Sequence, residues 1–429
     1  MQTQITKQRN QGALAERLGV NRVVLALSIA RMADGLGNSI LVVIIPLYVA
    51  RLPSPLFDLP ESVLIGILIS WFGVVNTVLQ PLMGSISDRM GKRKPFILIG
   101  LFLMAVGTLA FIFAGRFTDL VLIRALQAVG VAMSIPTSLA LMAASTTKET
   151  RGSAMGVWGT LRMIGFAIGP MLGGFIEVNW GFNVAFVVGA GLVFLSLILV
   201  QFWVDEKGLL EDIEAAQPEN GGPKPDVPGF FDRRMWSGDL FGLAAAIFAM
   251  AIAFSLMAAL ENEFNARLGL STIAFGIAYS SMTISRLFVQ FPLGRMSDRI
   301  GRKPLIVTGL VLMAPATLAL GLAAANWQLV AGRAFQGIAA AAIGPAAMAM
   351  TGDISPVGGE GRQMSIMTMS FFVGTALGPL IAGTLVLHSF VLPFLVGGLI
   401  CLPCAWLVSR YVKETIERKD AAESEFIEA

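Results

Sequence analysis

Asp34 is the one carboxylate of this chain that falls deep inside an apolar run, in the string Arg31-Met-Ala-Asp34-Gly-Leu-Gly-Asn38. Counting about 1.5 Å per helical residue places it ~18 Å into a hydrocarbon core ~30 Å thick. Arg124, counted from the opposite edge, reaches ~10 Å, which is nearly the same depth. Low dielectric favours the protonated form of a carboxyl, whereas a nearby guanidinium favours the ionised form. Asp34 with Arg31 or Arg124 could therefore take up and release a proton as its surroundings change. Arg31 and Asp34 also stand one helical turn apart, so a permanent pair that only neutralises charge is equally open. Asn38 and the neighbouring glycines leave room for water or solute beside the acid.

Arg162, Arg286 and Arg333 lie in other apolar runs without an acid of their own. Arg286 is expected to snorkel toward the cytoplasm. If several of the others line one cavity, a neutral or anionic lipophile is favoured over an organic cation, because unpaired guanidinium groups repel cations at low dielectric. Glu261 and Glu263 fall at the outer end of a run, where they are expected to face water.

These residues need helices in lipid to hold them. Of the 429 residues 55% are hydrophobic and 14% charged, with a mean hydropathy of +0.74. Soluble domains carry about 25% charged residues. Twelve apolar runs of spanning length can be counted, the fifth to seventh over 152–177, 182–204 and 237–261. With the N-terminus inside, the inner segments hold 23 Lys and Arg, against Arg51, Arg116 and Arg267 outside. That asymmetry fixes an even number of crossings with both termini cytoplasmic. The fold class expected is an all-α integral membrane protein of the cell membrane. Its parts are a cytoplasmic segment 1–21, a six-helix bundle 22–204, a linker 205–236 rich in Pro, Gly and acid, a second six-helix bundle 237–412, and a cytoplasmic tail 413–429. Met1 to Asn21 is Gln- and Arg-rich without a short apolar core, so the first run is expected to be a retained helix.

The two bundles repeat each other. Gly84-Ser-Ile-Ser-Asp88-Arg89-Met-Gly91-Lys92-Arg93 returns 210 residues later as Gly294-Arg-Met-Ser-Asp298-Arg299-Ile-Gly301-Arg302-Lys303. Arg124, Gln127 and Pro136 return as Arg333, Gln336 and Pro345, and Gly169-Pro170 as Gly378-Pro379, both 209 residues on. Duplicated bundles with a site between them at mid-membrane are the architecture of alternating access. Positive-inside charge explains the Lys and Arg of the loop motif but not its repeated Gly and Asp. In the fifth run, Gly165, Gly169, Pro170, Gly173 and Gly174 combine close helix packing with a missing backbone donor, as a moving interface requires.

At these motifs the chain resembles the major facilitator superfamily, over about Val20 to Val412. The segment Gly84 to Arg93 is similar to the family's loop between helices two and three, with Ile86 and Lys92 in place of the usual Leu and Arg; the second copy departs at Met296. The resemblance implies that Asp88, Arg89 and their repeats Asp298 and Arg299 hold a gate rather than the solute. Gly165 to Gly174 looks like the glycine-proline motif of the antiporter branches. Asp34 resembles the first-helix acid of drug:proton antiporters, and Arg124 their fourth-helix arginine, although Ala128 stands where a Gly is usual. The Pro-Glu-Ser-Pro-Arg string of sugar porters is absent, Val204-Asp-Glu-Lys-Gly taking its place.

The reading that results is a secondary transporter exporting small lipophilic neutral or anionic compounds against protons. The alternatives are a symporter or uniporter importing a metabolite, and more distantly a membrane-embedded receptor or enzyme. No metal site, no cofactor and no nucleic-acid partner are expected: the basic residues are spread over short loops, and Gly84 to Lys92 lacks the Ser or Thr of a phosphate-binding loop. Cys401 and Cys404 lie within the last apolar run and His388 has no companion, so packing or surface roles are expected for them. The partners expected are a small solute and the lipid bilayer, with the chain working as a monomer and the proton gradient as its energy source.

Overall fold

The computed structural model describes residues 21–53, 58–90, 92–146, 150–205, 237–355 and 360–415. The expected linker, the N-terminal segment and nearly all of the tail lie outside these. The described chain is helical: α1 Arg22–Val49, α2 Glu61–Met90, α3 Lys94–Ala110, α4 Phe117–Ala144, α5 Arg151–Trp203, α6 Gly238–Ser255, α7 Glu261–Leu268, α8 Thr272–Ile300, α9 Arg302–Gly321, α10 Asn326–Ile354, α11 Glu360–Leu385 and α12 Leu392–Tyr411. Among the described residues 11 helices are long and apolar enough to cross a membrane. One of them, α5, runs for 53 residues and is broken at Gly181, where φ is 81°. At about 1.5 Å per residue it is long enough for two crossings, which is consistent with the twelve expected.

The described residues of Met1–Ile44 and Val75–Gly222 form one compact unit, and those of Ile45–Val74 and Pro223–Ala429 the other. The second unit thus takes in the outer ends of α1 and α2, which the sequence reading assigns to the first bundle. Small residues are the reason. A Cβ on Gly66 would lie 2.6 Å from the Pro379 carbonyl oxygen and one on Gly73 2.7 Å from the Ala376 Cβ, so α2 runs against α11 at backbone distance. The Ser62 hydroxyl donates to the Gly383 carbonyl at 3.2 Å.

The seventh run differs from expectation. Its helix stops at Ser255, passes through a 3-10 turn over Leu256–Ala259 and restarts as the short α7. This turns Glu261 inward: it is fully buried rather than facing water. Asn262 donates to the Pro46 carbonyl at 3.2 Å and to Glu61. Glu263, outside the spanning helices, has its carboxyl pushed above the usual range by burial, with Glu61 adding to the shift and a hydrogen bond with Ser62 opposing it. A carboxyl whose folded pKa is raised binds more protons folded than unfolded, so its contribution to stability falls as pH rises. Glu263→Gln is therefore expected to raise the melting temperature in detergent more at pH 8 than at pH 5, and an equal shift at the two pH values would overturn the expectation.

Cys401 and Cys404 are buried free thiols, Cys401 lying 3.5 Å from the Gly397 carbonyl oxygen, and His388 is exposed.

Candidate functional site

Asp34 sits in the middle of α1, 1% exposed. Its Oδ2 forms a salt bridge with Arg31, and its Oδ1 accepts from Asn38 Nδ2 at 2.6 Å, so residues one turn before and one turn after hold the carboxylate from both sides. The Arg31 guanidinium is 8% exposed and stands 5.5 Å from the ring centre of Trp158, on α5. Arg162, one turn further along α5, is near enough to act on Asp34 electrostatically and stands 5.3 Å from the Phe166 ring. The carboxylate thus lies among two guanidinium groups, an amide and aromatic faces, all carried by α1 and α5.

The glycine-proline segment is what brings these helices together. A Cβ on Gly165 would lie 2.4 Å from the Met32 carbonyl oxygen, one on Gly169 1.8 Å from Ser39 Oγ, and one on Gly173 2.8 Å from the Ile40 carbonyl oxygen. Gly35 faces back onto the Arg162 carbonyl, and Ser39 Oγ donates to the Gly165 carbonyl at 3.2 Å. Every one of these contacts falls within two turns of Asp34. Pro170 stands inside α5 at this seam and Gly174 is buried beside it. Gly169→Ala is expected to cost about 1–3 kcal/mol of stability through overpacking. Gly159→Ala in the same helix, where a Cβ meets nothing within 4 Å, serves as the control in the same melting measurement.

Arg124, on α4, is 8% exposed and donates to Gln127 Oε1 at 3.2 Å; Gln127 Nε2 donates to Thr108 Oγ1, on α3, at 2.9 Å. The second unit repeats this chain atom for atom: Arg333 donates to Gln336 Oε1 at 2.9 Å, and Gln336 Nε2 to Thr317 Oγ1 at 2.9 Å. The repeat therefore includes a threonine pair outside the repeated motifs, with the same separation (317 − 108 = 209). Arg333 is fully buried, also donates to the Phe254 carbonyl at 3.1 Å, and lies 4.7 Å from the ring centre of Tyr279.

The acid is not repeated. Ser39 and Ser255 occupy matching places, bonded to the Gly165 and Gly374 carbonyls. Carrying that register back (255 − 39 = 216) puts Ile247, Met250 and Phe254 where the first half has Arg31, Asp34 and Asn38.

The loop motifs are described unevenly. A Cβ on Gly84 would stand 3.6 Å from the Pro136 Cβ, Asp88 lies in the last turn of α2, Arg89 and Lys92 are exposed, Arg93 is half-buried, and Gly91 lies outside the described residues. Lys94 donates to the Gln201 and Val204 carbonyls at 2.7 Å each, capping the end of α5 with positive charge. In the second copy Gly294 is half-buried and Arg299 exposed, while Gly301 adopts a φ of 108° and starts α9. Arg302 joins Asp353 at the end of α10 and reaches Asp298 at 3.9 Å; the Arg302 and Lys303 amides donate to Glu414 at 3.1 and 2.9 Å. Asp353 and Glu414 complete this cluster and carry no signal in the motif itself. Arg286, expected to snorkel, lies half-buried with its guanidinium against Gly344 of α10.

Among the described residues no group of His, Cys, Asp and Glu is placed to hold a metal ion. Apolar spanning helices, a duplicated set of buried polar chains and, among the described residues, one unduplicated acid buried within a spanning helix define a multi-pass membrane transporter. The family model described as Major Facilitator Superfamily matches residues 27–259 and 240–427, and the chain belongs to that family. An uncharacterized MFS-type transporter, YuxJ, of Bacillus subtilis is 28% identical over 322 residues, covering 72% of this chain and 78% of that protein. The multi-drug resistance efflux pump PmrA of Streptococcus pneumoniae is 25% identical over 329 residues, covering 76% and 79%. Among solved structures, a D-xylose-proton symporter superposes with a TM-score of 0.73 at 16% identity, covering 92% of this chain and 98% of its own. A bacterial homolog of the human lysosomal transporter Spinster gives 0.72 at 16%, covering 91% and 96%. At those identities the likeness is one of fold.

Proposed function

We propose that this transporter exports small lipophilic compounds, neutral or anionic, in exchange for protons, with Asp34 as the proton carrier. The observation that carries the proposal is the unrepeated acid at the α1–α5 seam. A carboxyl between two guanidinium groups at low dielectric changes protonation when a small helix movement changes those distances. Gly165, Gly169 and Gly173 set the distance to Arg162, because they determine how closely α5 approaches α1. The excess of buried arginine over buried acid disfavours a cationic cargo. Relatives such as the multi-drug resistance efflux pump PmrA make efflux the leading direction.

The test is reconstitution of the full chain into liposomes with an imposed pH gradient and a pH-sensitive dye inside, against a panel of neutral, anionic and cationic lipophiles. Antiport requires proton flux that starts on adding a neutral or anionic compound and runs opposite to it. Proton and solute moving in the same direction would make the protein a symporter, and solute flux indifferent to the gradient would make it a uniporter; either result ends the proposal.

A further inference from the structure

The first unit holds a partly open cavity of about 20 Å³ beside Asp34, lined by Arg31, Asp34, Ser134, Ser138, Ile97 and Val200 among others. That is room for a water, and a buried water needs two to four polar partners. The lining supplies both kinds. Arg31 Nε is buried and, among the described residues, makes no hydrogen bond, so it offers a donor. Ser134 Oγ donates to the Val131 carbonyl at 3.4 Å and Ser138 Oγ to the Ser134 carbonyl at 2.7 Å. With their protons so used, both hydroxyl oxygens keep lone pairs for a visitor.

The cavity also points one way. Ile97 is three residues from the start of α3 and Val200 three from the end of α5. At about 1.5 Å per residue each is ~5 Å from the helix end that the loop lysines and arginines mark as cytoplasmic. Ser138 lies six residues before the end of α4, ~9 Å by the same rise. The lining thus leads from the carboxyl toward the cytoplasm through α1, α3, α4 and α5.

We propose that water in this cavity is the route by which Asp34 exchanges its proton with the cytoplasm. In release, the carboxylic O–H bond breaks and the proton joins the water oxygen. That water passes one of its other protons to a second water, of the cytoplasm, at the Ile97 and Val200 end, and the carboxylate keeps the electron pair and closes onto Arg31 and Asn38. The charged groups facing Asp34 are Arg31 on its own helix and Arg162 on α5. This route rests on Asp34 being a proton carrier.

The two ideas are separable by infrared spectroscopy of the full chain in liposomes, following deuterium uptake at the Asp34 carboxyl, whose C=O band is identified by its loss in Asp34→Asn. Ser138→Val fills the cavity and is expected to slow that uptake about tenfold. Thr137→Val, which removes a neighbouring buried hydroxyl outside the cavity, is expected to leave it unchanged. Uptake in Ser138→Val within about twofold of the unaltered chain overturns the route and leaves the proton role standing. Absence of an Asp34 carboxylic band anywhere between about pH 5 and about pH 9 overturns both. Should Ser138→Val fail to assemble, the double substitution Ser134→Ala with Ser138→Ala removes the lone pairs without adding bulk. It is expected to slow uptake several-fold, and unaltered uptake there overturns the route equally.

Discussion

Asp34→Asn is expected to lower transport driven by a pH gradient by about 100-fold, the range in which removing a positioned proton carrier falls. Loss of transport alone would not distinguish a proton carrier from a counter-ion, because the substitution also leaves Arg31 as a buried charge without its carboxylate. Breaking a buried pair on one side costs about 3–5 kcal/mol. The deciding variant is the double substitution Arg31→Gln with Asp34→Asn, which removes both charges and keeps polar groups of similar size. If Asp34 served only to neutralise Arg31, the double variant would recover stability and gradient-driven transport together. As a proton carrier, Asp34 is required for coupling whatever stands at Arg31. The double variant is then expected to recover its melting temperature and still show solute flux indifferent to the gradient.

What could be read in the sequence and what could not separate along a physical line. The spans, the loop motifs and the glycine-proline segment are local strings, legible along one dimension. Gly165, Gly169 and Gly173 occur at every fourth residue because one face of a helix must stay bare along its length, and that is visible in one dimension. Partners that meet through space are not. Asp353 joins the Arg302 guanidinium across 51 residues and Glu414 accepts from the Arg302 amide across 112, and neither stands in a recognisable string. Thr108 and Thr317 could have been found, since they keep the repeat distance of 209, but a threonine in an apolar run draws no attention until its glutamine is seen. The inward turn of Glu261 had no signal. It depends on a 3-10 break over Leu256–Ala259, four apolar residues that read as uninterrupted helix.

Gln336→Leu is expected to destabilise the protein by about 1.5–3 kcal/mol, the cost of losing a hydrogen bond to a charged group. Gln336 is fully buried and stands between Arg333 and Thr317, so leucine would take an acceptor from a buried guanidinium and a donor from a buried hydroxyl at once. Gln127→Leu, its counterpart in the first half, removes the same two bonds from Arg124 and Thr108 and is expected to cost a similar amount. Both should appear as lower melting temperatures in detergent with the direction of proton coupling unchanged in whatever protein remains folded. The reasoning is one of symmetry. A network present in both halves at the same residue spacing meets a requirement both halves share, namely tying two neighbouring helices together in lipid where unsatisfied polar groups are costly. Proton coupling needs a group whose ionisation changes, and along the matching stretch of α6 the second half has only Ile247, Met250 and Phe254 to offer. Loss of coupling in Gln336→Leu at full stability would reverse this assignment and move the ion-linked step into the second half, to Arg333 and Tyr279.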